Sequence, residues 1–102
     1  MNFSQRVYLA AKMIPKGKVT TYSEIAKAIS NFGASRAVGN ALNKNRSKEV
    51  PCHRIVKSDG NIGGFAFGSE AKKNFLEKEG IEITDGKIDL KKFLFVYKKK
   101  IE

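Results

Sequence analysis

At 102 residues, 41% of them hydrophobic, the chain is long enough for one compact core and too short for two. Twenty lysines and arginines against ten acidic residues give a net charge of +10, which points to a polyanionic partner, nucleic acid first, because neutralised phosphates release counterions. No run approaches the roughly 20 apolar residues that span a bilayer, and the first residues lack the apolar stretch and cleavage site of a secretory leader. A cytoplasmic protein with no membrane partner is therefore expected. One cysteine and one histidine exclude an internal disulfide and a Cys/His zinc site, so neither a metal nor a cofactor is expected.

Phe3, Val7, Ala10, Ala11 and Ile14 recur at helical spacing, so residues 3–14 read as a helix that starts near Ser4. Pro15-Lys16-Gly17-Lys18 stops it, and Val19–Tyr22, β-branched and short, reads as a brief extended segment. A second helix follows, with Thr21 or Ser23 as cap, Glu24 completing a capping box, and Ile25, Ala26, Ala28 and Ile29 on its apolar face. Asn31-Phe32-Gly33 interrupts the pattern, and Ala34, Ala37, Val38, Ala41 and Leu42 resume it over residues 34–44. Two short helices about a glycine-containing turn form a helix-turn-helix pattern, which αα-hairpins that bind no DNA share.

Residues 45–52 read as a loop, His53–Val56 as a short strand, and Asp59-Gly60 and Gly63-Gly64 as turns of a glycine-rich loop. Ser69–Glu79 reads as a helix with Ser69 as N-cap, Ala71, Phe75 and Leu76 inward, and Gly80 as its stop. Ile81–Ile83 and Lys87–Leu90 predict a hairpin about Asp85-Gly86, and Lys98-Lys99-Lys100 predicts a frayed, solvated tail. The fold expected is mainly α with short β segments, a winged-helix-like helix-turn-helix DNA-binding domain occupying residues 1–102 as one unit.

The lone Cys52 is either an inert small hydrophobe or a reactive thiol. A free thiol is mostly protonated at neutral pH, so a nucleophilic cysteine needs cations, donors or a base around it. Cys52 lies between Pro51 and His53-Arg54, and adjacent side chains on extended backbone diverge, so a proton relay to His53 needs a bridging water. A carboxylate such as Glu79, if brought near by the fold, would orient the imidazole.

Val50-Pro51-Cys52-His53-Arg54-Ile55-Val56 resembles the active-site signature of the alkylguanine-DNA alkyltransferases, also called methylated-DNA–protein-cysteine methyltransferases. The resemblance runs from about Phe3 to Phe95. It takes in Gly17–Tyr22, Ser35–Ala41, Asn45, Gly60–Phe65 and Lys72–Gly80, five blocks in one order. It implies the family's C-terminal catalytic and DNA-binding domain alone, without the N-terminal ribonuclease-H-like domain. The activity implied is a single-use transfer of a methyl or larger alkyl group from guanine's exocyclic oxygen to Cys52. The partner implied is double-stranded DNA containing alkylated guanine, met by a monomer.

By the same resemblance, His53 acts through water as base, Glu79 orients His53, and Asn45 is the hinge between the helix-turn-helix and the active-site loop. Tyr22 presses on the target phosphate and donates its hydroxyl to the base, and Arg36 enters the stack to replace the flipped nucleotide. Ser35, Ala37, Gly39 and Arg54 belong to the DNA surface. The carbonyls of Cys52 and Ile55 read the guanine amine, and the Ala66 amide faces its oxygen. Phe65 lacks the aromatic hydroxyl that many members carry there, and Phe67 is expected to narrow the pocket against O-benzyl groups. The short alkyltransferase-like proteins, which bind lesions without transfer and typically carry tryptophan at the position of Cys52, are the alternative.

Overall fold

The computed structural model describes residues 1–65 and 67–101. Helix α1 (Phe3–Lys12) starts at Asn2, not near Ser4: the Asn2 side chain accepts from the Gln5 amide and the Gln5 side chain accepts from the Asn2 amide. Each side chain satisfies one backbone donor of the other residue, the reciprocal pairing of a capping box, which lies two residues before Ser4. Strand β1 (Thr20–Thr21) runs straight into α2 (Tyr22–Ala28), whose first turn is capped by Thr21 accepting from the Glu24 amide. After a turn in which Ser30 and Gly33 take positive φ, α3 (Ser35–Lys44) completes the helix-turn-helix.

Val7, Ala10, Ala11, Ile14, Ile25, Ile29, Val38, Ala41 and Leu42 interlock where these three helices meet, each almost fully buried. Each large aliphatic contributes about 1.5–3 kcal/mol by leaving water. On α3 the burial is one-sided. Val38, Ala41 and Leu42 face inward, while Arg36, Ala37, Asn40, Asn43 and Lys44 form an exposed face.

Cys52–Arg54 is a turn of 3-10 helix, not the first half of a strand: the Arg54 amide donates to the Pro51 carbonyl and the Ile55 amide to that of Cys52. Only Ile55–Val56 is extended, as β2, which pairs in parallel with β1 so that Thr20 faces Ile55 and Thr21 faces Val56. This two-stranded sheet sits between the helical cluster and a second apolar cluster of Val19, Val56, Leu76, Ile81, Ile88 and Phe93. Helix α4 (Ser69–Lys78) is preceded by Gly68 at φ 99°, with no side-chain cap; Ser69 lies within the helix and not at its cap.

The hairpin expected over residues 81–90 reduces to its turn. Asp85 and Gly86 both take positive φ, as a two-residue primed turn requires, and Thr84 and Lys87 exchange backbone hydrogen bonds. The flanking strands do not form, because Lys87 bridges to Asn61 and the Ile88 amide donates to the Gly60 carbonyl at 2.8 Å. A Cβ on Gly60 would lie 2.6 Å from the Ile88 carbonyl oxygen, so this approach demands glycine. The chain then forms α5 (Leu90–Phe93), capped by Asp89.

The closing segment is not frayed. The Phe95 amide donates to the Val19 carbonyl, the Tyr97 hydroxyl to that of Ala10, and the Ile101 amide to that of Ala28. Ile101 is 8% exposed, and Arg6 donates to the carbonyls of both Ile29 and Ile101. No described helix is long and apolar enough to cross a membrane.

Candidate active site and nucleic-acid interface

Cys52 opens the 3-10 turn at the mouth of a cavity of about 390 Å3 lined by Asn45, Val50, His53, Phe65, Phe67 and Phe75, among others. Its sulfur accepts a hydrogen bond from Asn45 Nδ2 at 3.3 Å, and its thiol points to the Leu42 carbonyl at 3.7 Å. Asn45 is the C-cap of α3, and its amide group also holds Ser47 in both directions, donating to the carbonyl and accepting from the amide. It therefore fastens the end of α3 to the loop that delivers Cys52.

On the far side of the turn, His53 Nε2 lies 2.9 Å from Glu79 Oε2. With Nε2–H donating to the carboxylate, the neutral ring leaves Nδ1 as its acceptor, the form a base needs. Burial pulls the His53 pKa below its ordinary value in spite of Glu79, so the ring is neutral at physiological pH. Burial alone would raise Glu79, but hydrogen bonds from Arg54 and His53 hold its carboxyl below the usual range. No hydrogen bond joins the side chains of Cys52 and His53 among the described residues.

Arg54 turns inward, toward Glu79. Its guanidinium donates to both oxygens of Glu79 (2.7–3.2 Å) and to the Ile14 carbonyl at 2.9 Å. A planar fork beside a half-enclosed carboxylate is well satisfied by this bidentate pairing. Arg54 instead locks Glu79, and through it His53.

The site also contains a cation that the sequence reading missed. Lys72 is wholly buried, and its ammonium donates to the carbonyls of Ile55 (2.6 Å) and Gly64 (3.0 Å). Burial brings its pKa down to about 8, with the nearby Cys52 opposing that shift. Its i,i+4 relation to Leu76, the other buried residue of α4, was the available signal: Lys72 occupies the inward stripe. Burial pushes the Cys52 thiol above its ordinary value, against the Asn45 hydrogen bond and the charge of Lys72, which pull it down. At rest the pair is thiol and neutral imidazole.

Tyr22, first residue of α2, lays its ring beside Gly39, where a Cβ would come within 3.7 Å, and brings its hydroxyl close to Gly63. Burial first, and Cys52 second, raise its pKa, so the phenol stays protonated and able to donate. Ser35 pairs its hydroxyl with that of Ser23 at 3.3 Å, joining the starts of α2 and α3. Arg36 and Ala37 are exposed on the open face of α3, separate from the Cys52 cavity.

Phe65 stacks edge-on with Phe67, Phe75 and His53. Phe67 lines the same cavity and is 54% exposed. Phe75, expected to point inward, is 44% exposed and walls this cavity instead. The Ile55 carbonyl accepts from the Lys72 ammonium. Ala66 lies outside the described residues. Among the described residues no cluster of His, Cys, Asp and Glu suited to a metal ion occurs.

A family model described as 6-O-methylguanine DNA methyltransferase, DNA binding domain, matches residues 2–81. The methylated-DNA–protein-cysteine methyltransferase of Methanosarcina acetivorans is 47% identical over 79 residues, covering 76% of this chain and 51% of that protein. The chain spans about half or less of the length of the first curated relatives it matches. Among solved structures, S. pombe Atl1 in complex with damaged DNA containing O6-carboxymethylguanine superposes with a TM-score of 0.85 at 34% identity, covering 93% of this chain and 95% of that one. Mycobacterium tuberculosis OGT in complex with DNA gives 0.74 at 41% identity, over 78% of this chain and 50% of that one.

Proposed function

The chain belongs to the 6-O-methylguanine DNA methyltransferase family, whose DNA-binding domain it matches, and on that premise we propose that it repairs alkylated guanine in duplex DNA by direct transfer to Cys52. The observation that carries this reading is the arrangement around the sulfur: Asn45 on one side, and the His53–Glu79–Arg54 chain on the other. Binding and chemistry then belong to the same domain, residues 1–102.

The exposed face of α3 meets the DNA, with Ser35, Ala37 and Gly39 allowing close approach and Arg36 filling the gap left by the extruded nucleotide. Flipping costs a few kcal/mol, which binding must offset. Tyr22 presses on the phosphate beside the flipped guanine. The base enters the Cys52 cavity, where the carbonyls of Cys52 and Ile55 accept from its amine. Water relays the thiol proton to His53 Nδ1, and Glu79 stabilises the imidazolium that results. The sulfur attacks the alkyl carbon and an S–C bond forms as the C–O bond breaks; the Tyr22 hydroxyl hydrogen-bonds to the departing guanine anion, which then takes up, through water, the proton held on His53. The thioether does not revert, so each molecule acts once.

A second reading has one observation in its favour: the near-complete length match to Atl1, a chain as short as this one. It makes the protein a lesion binder that transfers nothing. Incubation of excess O6-methylguanine duplex with wild type and Cys52→Ala separates the two. The transfer reading expects lesion loss that stops at one per chain with wild type and none with the variant, while both bind. Binding by wild type without lesion loss would establish the second reading.

A further inference from the structure

Residues 94–101 lie beyond the stretch matched by the family model, and the proposed chemistry uses none of them. Three consecutive lysines near a chain end are ordinarily solvated charge on a mobile tail. Here they are held from both sides. Before them, the Tyr97 hydroxyl donates to the Ala10 carbonyl at 2.6 Å, and its ring packs edge-on against Phe95. After them, Ile101 is buried and hydrogen-bonded to Ala28 near the end of α2, with Arg6 closing on its carbonyl. Lys98, Lys99 and Lys100 are therefore exposed side chains on a backbone fixed against the helix-turn-helix.

Their position is specific. The Lys100 ammonium lies 4.5 Å from the centre of the Phe32 ring. Phe32 is 67% exposed in the turn that leads into α3, four residues before Arg36. Among the described residues, the carboxylate in the shallow groove beside the lysines is Glu24, which is paired with Lys27 at 3.3 Å. Among the described residues none of the three lysines forms a salt bridge.

We infer that this strap presents Lys98, Lys99 and Lys100 as a phosphate clamp that extends the DNA interface from the α2–α3 turn along the duplex backbone. The inference rests on the reading that the exposed face of α3 meets DNA. Duplex DNA fits better than a single anionic ligand, because three ammonium groups in a row match a line of regularly spaced phosphates and carry no sequence preference.

The test is a salt series of binding to an O6-methylguanine duplex with three full-length proteins: wild type, K98Q/K99Q/K100Q, and the charge-matched K16Q/K87Q/K91Q, which alters exposed lysines elsewhere. Each phosphate contact contributes about 0.9 to the slope of log affinity against log salt, so the strap variant should lose about 2–3 from it and the control less than about 1. Reaction with free O6-benzylguanine base, which needs no DNA, should proceed at the wild-type rate in all three. Ile101→Ser keeps every charge but loosens the anchor, and should weaken duplex binding several-fold at fixed salt. Equal slope losses in both triple variants would mean diffuse charge and overturn the clamp, as would an unchanged slope in the strap variant or unchanged affinity in Ile101→Ser. Failure of wild type to bind duplex at all would instead remove the DNA reading itself.

Discussion

The two sides of the proposed repair site are built on opposite terms. Around Cys52 the described polar side chains are held by one another and by backbone: Asn45 to sulfur and Ser47, Arg54 to Glu79 and Ile14, Glu79 to His53, and Lys72 to two carbonyls. On the open face of α3, Arg36, Ala37, Asn40, Asn43 and Lys44 stand exposed, held only by the helix beneath them. The difference matches the two tasks. Transfer needs groups fixed before substrate arrives, since reorganisation during reaction is costly. A surface that meets a duplex and displaces a base gains from long side chains free to follow the groove.

If that division is right, damage on the committed side should affect chemistry first. Glu79→Gln leaves Arg54 facing a neutral amide and His53 without its charge partner. Transfer should slow about a hundredfold, in the range of lost general-base assistance, with DNA affinity nearly intact. Stability should change as well. The lowered carboxyl pKa means that Glu79 stabilises the fold fully above the ordinary carboxylate value and less as pH falls through the lowered one. Acid unfolding of Glu79→Gln should therefore show a weaker pH dependence than wild type, read by thermal melts at several pH values.

Damage on the open side should affect only reactions that require a duplex. Arg36→Ala is expected to slow repair in duplex DNA by about tenfold or more while leaving reaction with free alkylguanine base unchanged, because only the duplex requires flipping. Single-turnover rates on the two substrates decide it. Equal losses on both would remove the division of labour.

Lys72 gives the subtlest effect. Its ammonium favours the Cys52 thiolate and holds Ile55 and Gly64 in place, but its pKa of about 8 means the charge fades in mild alkali. Transfer should rise with pH as thiolate forms, then level or fall above about pH 8 as Lys72 deprotonates. Because the fold binds this proton more weakly than the unfolded chain does, stability should rise as pH increases from about 8 towards the ordinary lysine value of 10.5. Lys72→Met should be about tenfold slower at neutral pH and lack the alkaline decline, measured as a pH–rate profile.

The helical half of the molecule was readable because periodicity carries it. Val7, Ile25, Val38 and Leu42 recur at helical spacing and are all buried. The other half depends on contacts distant in sequence. Nothing local to Asp85-Gly86 says that Gly60 will take the Ile88 amide and prevent the strands, and nothing in Tyr97 to Ile101 says that Ala10 and Ala28 will hold the tail. In the site, the signature placed Cys52, His53, Asn45 and Glu79 together, whereas the role of Arg54 follows only from Glu79 and Ile14 converging on it from 25 and 40 residues away. Lys72 was hidden for another reason: lysines are seldom fully buried, and charge alone assigned it to the surface.

The central claim is that Cys52 is the acceptor, and peptide mass measurement after incubation with O6-methylguanine duplex addresses it directly. The account predicts one added methyl group on the peptide containing Cys52, on no other peptide, and never more than one per chain. An unmodified Cys52 in protein shown to be bound to that duplex would contradict it.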